Sequence, residues 1–242
     1  MRTVCGLGRW VQRLVGGRRS EPVRVAEIRP LGGVRRPLVT DRLGEQRRGG
    51  ARLDQVDGTT CGSACLVVLS AWADPDETRR LDGEAGPGGP ADWVGQPAAG
   101  GLTIGFGARF DARQLQVHRE STRFWPRALG TSPWGMVGWL RRNVPGAGPY
   151  RVRLVDDSSA ADLADAIAHT EAALAAGRPV PLLIGNFVPR HYVLALATGD
   201  GGWRVYEPSS GQVRLVTPDQ LRGRATTELL GWPRWHAVLL PD

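Results

Sequence analysis

The sequence predicts an α+β fold, and three observations carry that reading. Apolar residues recur at helical spacing in the earlier part of the chain. Short β-branched, alternating runs follow it, and Gly199-Asp200-Gly201-Gly202 joins two of them as a hairpin turn. Helices first and antiparallel strands later is an α+β order rather than a βαβ alternation. A chain of 242 residues is long enough for one domain with a sizeable core plus appendages.

Taken in order, residues 3–15 read as a short amphipathic helix. At 100° per residue Val4, Leu7, Trp10, Val11, Leu14 and Val15 share one face and Arg2, Arg9 and Arg13 the other. Gly6 and Gly8 weaken it by about 1 kcal/mol each relative to Ala. The segregation suits docking of residues 1–15 to an anionic membrane or a partner, and equally a helix packed on its own domain. Residues 16–50, rich in Arg, Gly and Pro, read as an extended linker or pro-like arm with one short strand near Val23–Ile28. Two segments follow from this: a basic arm, 1–50, and a core domain, 51–242.

Within the core domain, Cys61–Trp72 is expected as a helix with Cys61, Cys65, Val68, Leu69 and Trp72 on one face. Residues 83–101 hold seven Gly and three Pro and read as a surface loop. Further helices are expected at Phe110–Arg119, at Ser132–Arg142 with Ser132 as cap, and through Leu163, Ile167, Thr170 and Leu174. Ser159 can open the last of these, and Gly177 and Pro179 close it. Strands are expected at Val180–Ile184, His191–Ala197, Trp203–Tyr206, Val213–Val216 and near Ala237–Leu240. Trp125, Trp134 and Trp139 are placed in the core between lobes, with a peptide groove as the other place for one of them.

Charge and cysteine content exclude several classes. The net charge is +7, yet all 31 basic residues are Arg and they are unevenly spread. Residues 1–50 hold 12 Arg against 4 acidic residues, a net of +8; the other 192 hold 19 against 20, a net of −1. A neutral body with a basic head does not predict nucleic-acid binding. Three cysteines, an odd number in a chain of this length, do not make a disulfide framework. No metal-ligand spacing or cofactor motif is present, and His118, His169 and His236 read as structural or solvated. No apolar run approaches a membrane span, and Arg9 and Arg13 interrupt any secretory pattern, so a cytoplasmic location is expected.

The chemistry concentrates in Gln55-Val-Asp-Gly-Thr-Thr-Cys61-Gly-Ser-Ala-Cys65-Leu. A Gly-Thr-Thr turn running into a helix puts Cys61 at the positive end of the helix dipole, which favours thiolate. Gly62 is expected to leave space for a substrate carbonyl. Gln55 can join the Cys61 backbone N–H in holding a developing oxyanion. Cys65, one turn on, reads as a small buried hydrophobe. His191 opens a strand after a loop, where catalytic groups are often presented. The next strand ends at Glu207-Pro208, beside the start of the first in an antiparallel hairpin. Glu207 can therefore fix the His191 tautomer, which completes a nucleophile–base–orienter set. Each feature alone is commonplace: a histidine at a strand start, Glu-Pro in a solvated turn, a buried inert cysteine. Their combination is what carries weight.

Gln, five residues, then Cys-Gly-x-Ala-Cys-Leu resembles the start of the bacterial double-glycine peptidase family, papain-like domains that remove leader peptides from bacteriocin precursors. His191-Tyr-Val-Leu, a hairpin and Val-Tyr-Glu-Pro-Ser-Ser-Gly is similar to that family's His strand and Asp-Pro-x-x-Gly strand. The likeness covers roughly residues 51–75 and 160–220. It implies a papain-like fold in which a nucleophile helix from a helical lobe packs on an antiparallel sheet lobe. It also implies a peptide or protein substrate, with cleavage after Gly-Gly as one form, by Cys61, His191 and Gln55. Glu207 stands where that family has Asp, so one extra methylene must be absorbed. The family's transporter parts are absent from this sequence. The same triad would also serve acyl transfer of a transglutaminase-like kind, and the fold could be kept as a non-catalytic peptide-binding module.

Overall fold

Consecutive apolar residues in the C-terminal third require burial on both sides of a strand, because neighbouring side chains point to opposite faces. That is what the computed structural model shows; it describes residues 1–16, 37–84, 104–123 and 130–242. Strands β1 (Gly44–Glu45), β4 (Tyr150–Leu154), β5 (Val180–Gly185), β6 (Pro189–Gly199), β7 (Gly202–Glu207), β8 (Gln212–Val216) and β9 (Arg234–Pro241) form one sheet. Its order is β1-β8-β7-β6-β5-β9-β4, and every pairing is antiparallel. A small hairpin, β2 (Arg47–Arg48) with β3 (Ala51–Arg52), stands apart.

Leu183, Tyr192, Leu194 and Leu196 pack into a core with helices α2 (Cys61–Ala73), α4 (Phe106–Ser121) and α5 (Pro133–Asn143). Their neighbours Leu182, Ile184, Val193 and Ala195 pack into a second core with α6 (Ala160–Ala175). The sheet is thus covered on both faces rather than on one. α2 is buried along most of its length, from Cys61 to Ala71, because it runs between α4, α5 and β6. Three shorter helices complete the eight among the described residues: α3 (Pro75–Asp82), α7 (Pro218–Arg222) and α8 (Thr227–Leu230). The architecture is α+β. No helix among the described residues is long and apolar enough to cross a membrane.

The caps follow the expected chemistry. Ser132 Oγ accepts from Gly135 N at 3.0 Å, and Ser159 Oγ from Asp162 N at 3.3 Å. The β6–β7 hairpin pairs Gly199 with Gly202 around Asp200 and Gly201, both at positive φ (49° and 77°), as a two-residue turn matching strand twist requires. The expected strand near Val23–Ile28, nearly all of the 83–101 loop and Trp125 lie outside the described residues. Trp139 is fully buried, but Trp134 is exposed and not part of the core.

The arm is not separate where it is described. β1 pairs with β8, and the Arg48 guanidinium makes two bonds to the Asp82 carboxylate, at 2.7 and 2.6 Å. The boundary expected after residue 50 falls on Gly49-Gly50, the tight turn of the β2–β3 hairpin. The N-terminal helix, α1 (Val4–Gly16), lies on β4 and β9 with its polar side inward. Arg2 Nε meets Asp156 Oδ2 at 3.0 Å, and Arg9 Nε and Arg13 Nη2 meet Asp162 Oδ1 at 3.2 and 2.9 Å. Gly6 is buried, and a Cβ there would come within 3.1 Å of the Asp156 carboxylate, so the glycine permits the close approach. Arg2, Arg9 and Arg13 are thus paired with the protein's own carboxylates, as in the alternative of a helix packed on its own domain.

Candidate active site

The loop Asp54–Thr60 delivers Cys61 to the first turn of α2. Asp57 organises it: Oδ1 accepts from Thr59 N and Oγ1, and the Asp57 N–H donates to Thr60 Oγ1 at 2.9 Å. The Thr60 hydroxyl is thereby committed to Asp57 and makes no side-chain cap for α2. A helix start without a side-chain cap leaves backbone N–H groups and the positive dipole end available beside the Cys61 sulfur. Cys61 itself is 4% exposed.

β6 delivers His191 to the same place. Its Nε2–H donates to Glu207 Oε1 at 2.8 Å, with both side chains buried. Nε2 is thus occupied, which leaves Nδ1 for the Cys61 thiol. Burial by itself would disfavour the imidazolium. Its interactions with Cys61 and Glu207, the hydrogen bond to the Glu207 carboxylate among them, outweigh it and push His191 up to about 9.

Glu207 is held by more than the histidine. Ser209 N donates to Oε1 at 2.7 Å, while Ser210 N and Oγ donate to Oε2 at 2.9 and 2.6 Å. Burial alone would raise its pKa. The bonds from His191, Ser210 and Ser209 reverse that and bring it down to about 2, so the carboxylate is ionised at neutral pH. The extra methylene has a geometric use. Extending the β6–β7 register, in which Leu194 faces Tyr206, sets Glu207 across from Val193, two residues from His191. The longer side chain spans that diagonal.

Gln55 comes to the same turn. Its backbone N–H donates to Pro208 O at 2.8 Å, Ser209 Oγ donates to its Oε1 at 3.2 Å, and its Nε2 donates to Asp57 O at 2.7 Å. Both ends of the amide are therefore fixed in sense. The structure brings Cys61, His191 and Glu207 together and ties Gln55 to the loops on either side of them. Cys65 is fully buried one turn behind Cys61, and its burial and the nearby charges of Cys61 and Glu207 push its thiol well up.

Two points differ from the sequence reading. Gly62 does not keep an open space. A Cβ there would sit 3.2 Å from both the Tyr192 ring and the Thr131 side chain, so the glycine serves close packing of α2 on β6. Ser209 and Ser210, which the sequence motif includes without a role, hold the Glu207 carboxylate. Their signal was two small hydroxyl residues two and three positions after an acid, a spacing that lets backbone N–H groups fold back on a carboxylate. Among the described residues no group of His, Cys, Asp and Glu could hold a metal ion. The chain matches no protein-family model, no curated protein and no solved structure.

Proposed function

We propose that this chain is a papain-like cysteine peptidase acting through Cys61, His191 and Glu207. One observation carries the reading: a buried histidine fixed at Nε2 by an ionised glutamate, beside a cysteine at an uncapped helix start whose proximity is among the causes that raise the histidine. Cys61 Sγ attacks the peptide carbonyl carbon. The oxyanion that forms is met by the Cys61 backbone N–H and by the Gln55 amide proton not committed to Asp57. His191 passes the Nδ1 proton to the leaving amine, the C–N bond breaks, and a thioester remains on Cys61. Water then attacks the thioester with Nδ1 as base, releasing the acid and restoring the thiol. Throughout, Nε2 keeps its proton on Glu207, which stabilises the imidazolium. The resemblance noted above makes a peptide with Gly-Gly before the scissile bond the first substrate class to test. An ionised Glu207 bonded to His191 is a poor fit to a binding module without chemistry, because a binding module has no use for an oriented base.

A fluorogenic peptide with Gly-Gly before the reporter amine, with Cys61→Ala as control, tests the reading. Turnover should fall by at least about 10³-fold in the variant. Brief iodoacetamide treatment followed by peptide mapping should label Cys61 and spare Cys65. Preferential labelling of Cys65, or turnover unaffected in Cys61→Ala, would sink it.

A further inference from the structure

We propose that the outward face of α1 pairs with the same face of a second copy of this chain. An amphipathic helix ordinarily turns its apolar stripe to the core. Here the stripe faces solvent: Val4, Leu7, Val11 and Leu14 are 61, 53, 46 and 63% exposed. The reversal is built in rather than incidental. Asp162, fully buried, takes Arg9 and Arg13, and Asp156 takes Arg2, so the polar side cannot be released without uncovering buried carboxylates.

The patch extends beyond the helix. The Val4 N–H donates to Phe187 O at 3.1 Å, which sets the β5–β6 turn against α1, and Phe187 and Val188 on that turn are also exposed, as is Met1. With Trp10 this makes eight exposed apolar side chains: five on α1, two on the turn, and Met1 just before the helix. Exposed apolar groups gathered on neighbouring elements, unlike single scattered ones, mark an interaction surface.

Spacing and charge say what covers it. Residues 4, 7, 11 and 14 follow the 3-4-3 spacing of heptad a and d positions, with Val at both a sites and Leu at both d sites. β-Branched a residues with Leu at d favour two parallel strands. A surface made to meet itself gives a closed two-fold pair. A lipid surface fits less well, because an interfacial helix keeps its basic residues free for headgroups, and here Arg2, Arg9 and Arg13 are all committed to Asp156 and Asp162. Two heptads are too short to pair as free peptides. In this protein the helix is already held on the body, so association does not have to order it. The strands that α1 packs on, β4 and β9, lie on the side of the helix away from the stripe, and a parallel pair brings both Phe187–Val188 turns to the same end.

Sedimentation velocity on the full chain across the micromolar range tests the pairing. A dimer is expected for the native chain and a monomer for Leu7→Glu with Val11→Glu, with unchanged circular dichroism. Mild oxidation of Leu7→Cys in a Cys5→Ser background should give a disulfide-linked dimer, since parallel order sets two d positions side by side. A native chain that stays monomeric overturns the proposal, as does a dimer that survives the double variant. Flotation of a monomeric chain with phosphatidylglycerol vesicles would assign the face to lipid instead. A dimer whose Leu7→Cys form fails to cross-link would overturn the parallel order.

Discussion

Glu207 accepts four hydrogen bonds through its carboxylate, and only one of them comes from the residue it orients. The other three come from the turn that follows it, so the acid is positioned by its own chain before the histidine arrives. Glu207→Gln keeps an acceptor for Nε2–H but removes the charge that favours the imidazolium. It also turns an amide toward the Ser210 donors. Turnover should fall roughly 10²-fold, and the upper limb of the pH–rate profile should move down from about 9, because one of the causes holding His191 there is gone. An unchanged upper limb would remove Glu207 from the triad. Glu207→Asp retains the charge and should keep more activity than the glutamine variant.

At the scale of elements, the site is made where two loops clasp. The turn 207–211 between β7 and β8 meets the strap 44–55: Gln46 N donates to Gly211 O at 2.8 Å, and Tyr206 Oη donates to Leu53 O at 2.7 Å. Gly211 closes that turn at φ +63°, and a Cβ there would lie 2.9 Å from the Leu53 carbonyl oxygen, a backbone atom that cannot step aside. Gly211→Ala should therefore cost about 2 kcal/mol from the left-handed strain and the contact together. It should also lower turnover, because the same turn carries the Ser209 and Ser210 donors. Urea unfolding midpoints beside the peptide assay would show both, and an alanine variant of native stability would contradict the close approach.

The whole molecule carries one pH signature from this pair. His191 rises in the fold from 6.5 to about 9, so its contribution to stability is full below pH 6.5 and is lost as the pH climbs through 9. Glu207 falls from 4.5 to about 2, so its contribution is full above pH 4.5 and is lost as the pH drops through 2. Both are complete between about 4.5 and 6.5, where this pair contributes most. Unfolding free energies across pH should decline on both sides of that window. Glu207→Gln should flatten both limbs, and identical profiles for the two proteins would show that the pair is not coupled to folding.

Local chemistry made much of this legible in the chain. Helical and alternating periodicities locate α2, α5, α6 and β5 to β9, because those elements bury apolar residues at fixed spacing, and Ser132 and Ser159 mark the starts of α5 and α6. Gln55, Cys61, His191 and Glu207 could be named because a helix start and a two-residue hairpin are short-range structures. β4 is not legible: no apolar alternation marks it, since its two buried positions are Tyr150 and Arg153, the latter made tolerable by Asp162 and Asp165 on α6. α3 was missed although Asp74, Pro75 and Gly83 mark its ends, since no apolar stripe announces it. Two decisions belonged to the tertiary structure alone. One is which face of α1 turns inward, set by carboxylates some 150 residues away in the chain. The other is whether Cys61, His191 and Glu207 meet, set by how α2 seats against β6 through Gly62, Thr131 and Tyr192. Amphipathicity and motif spacing fix what a segment can offer; only long-range packing and the pairing of buried charge fix what it faces.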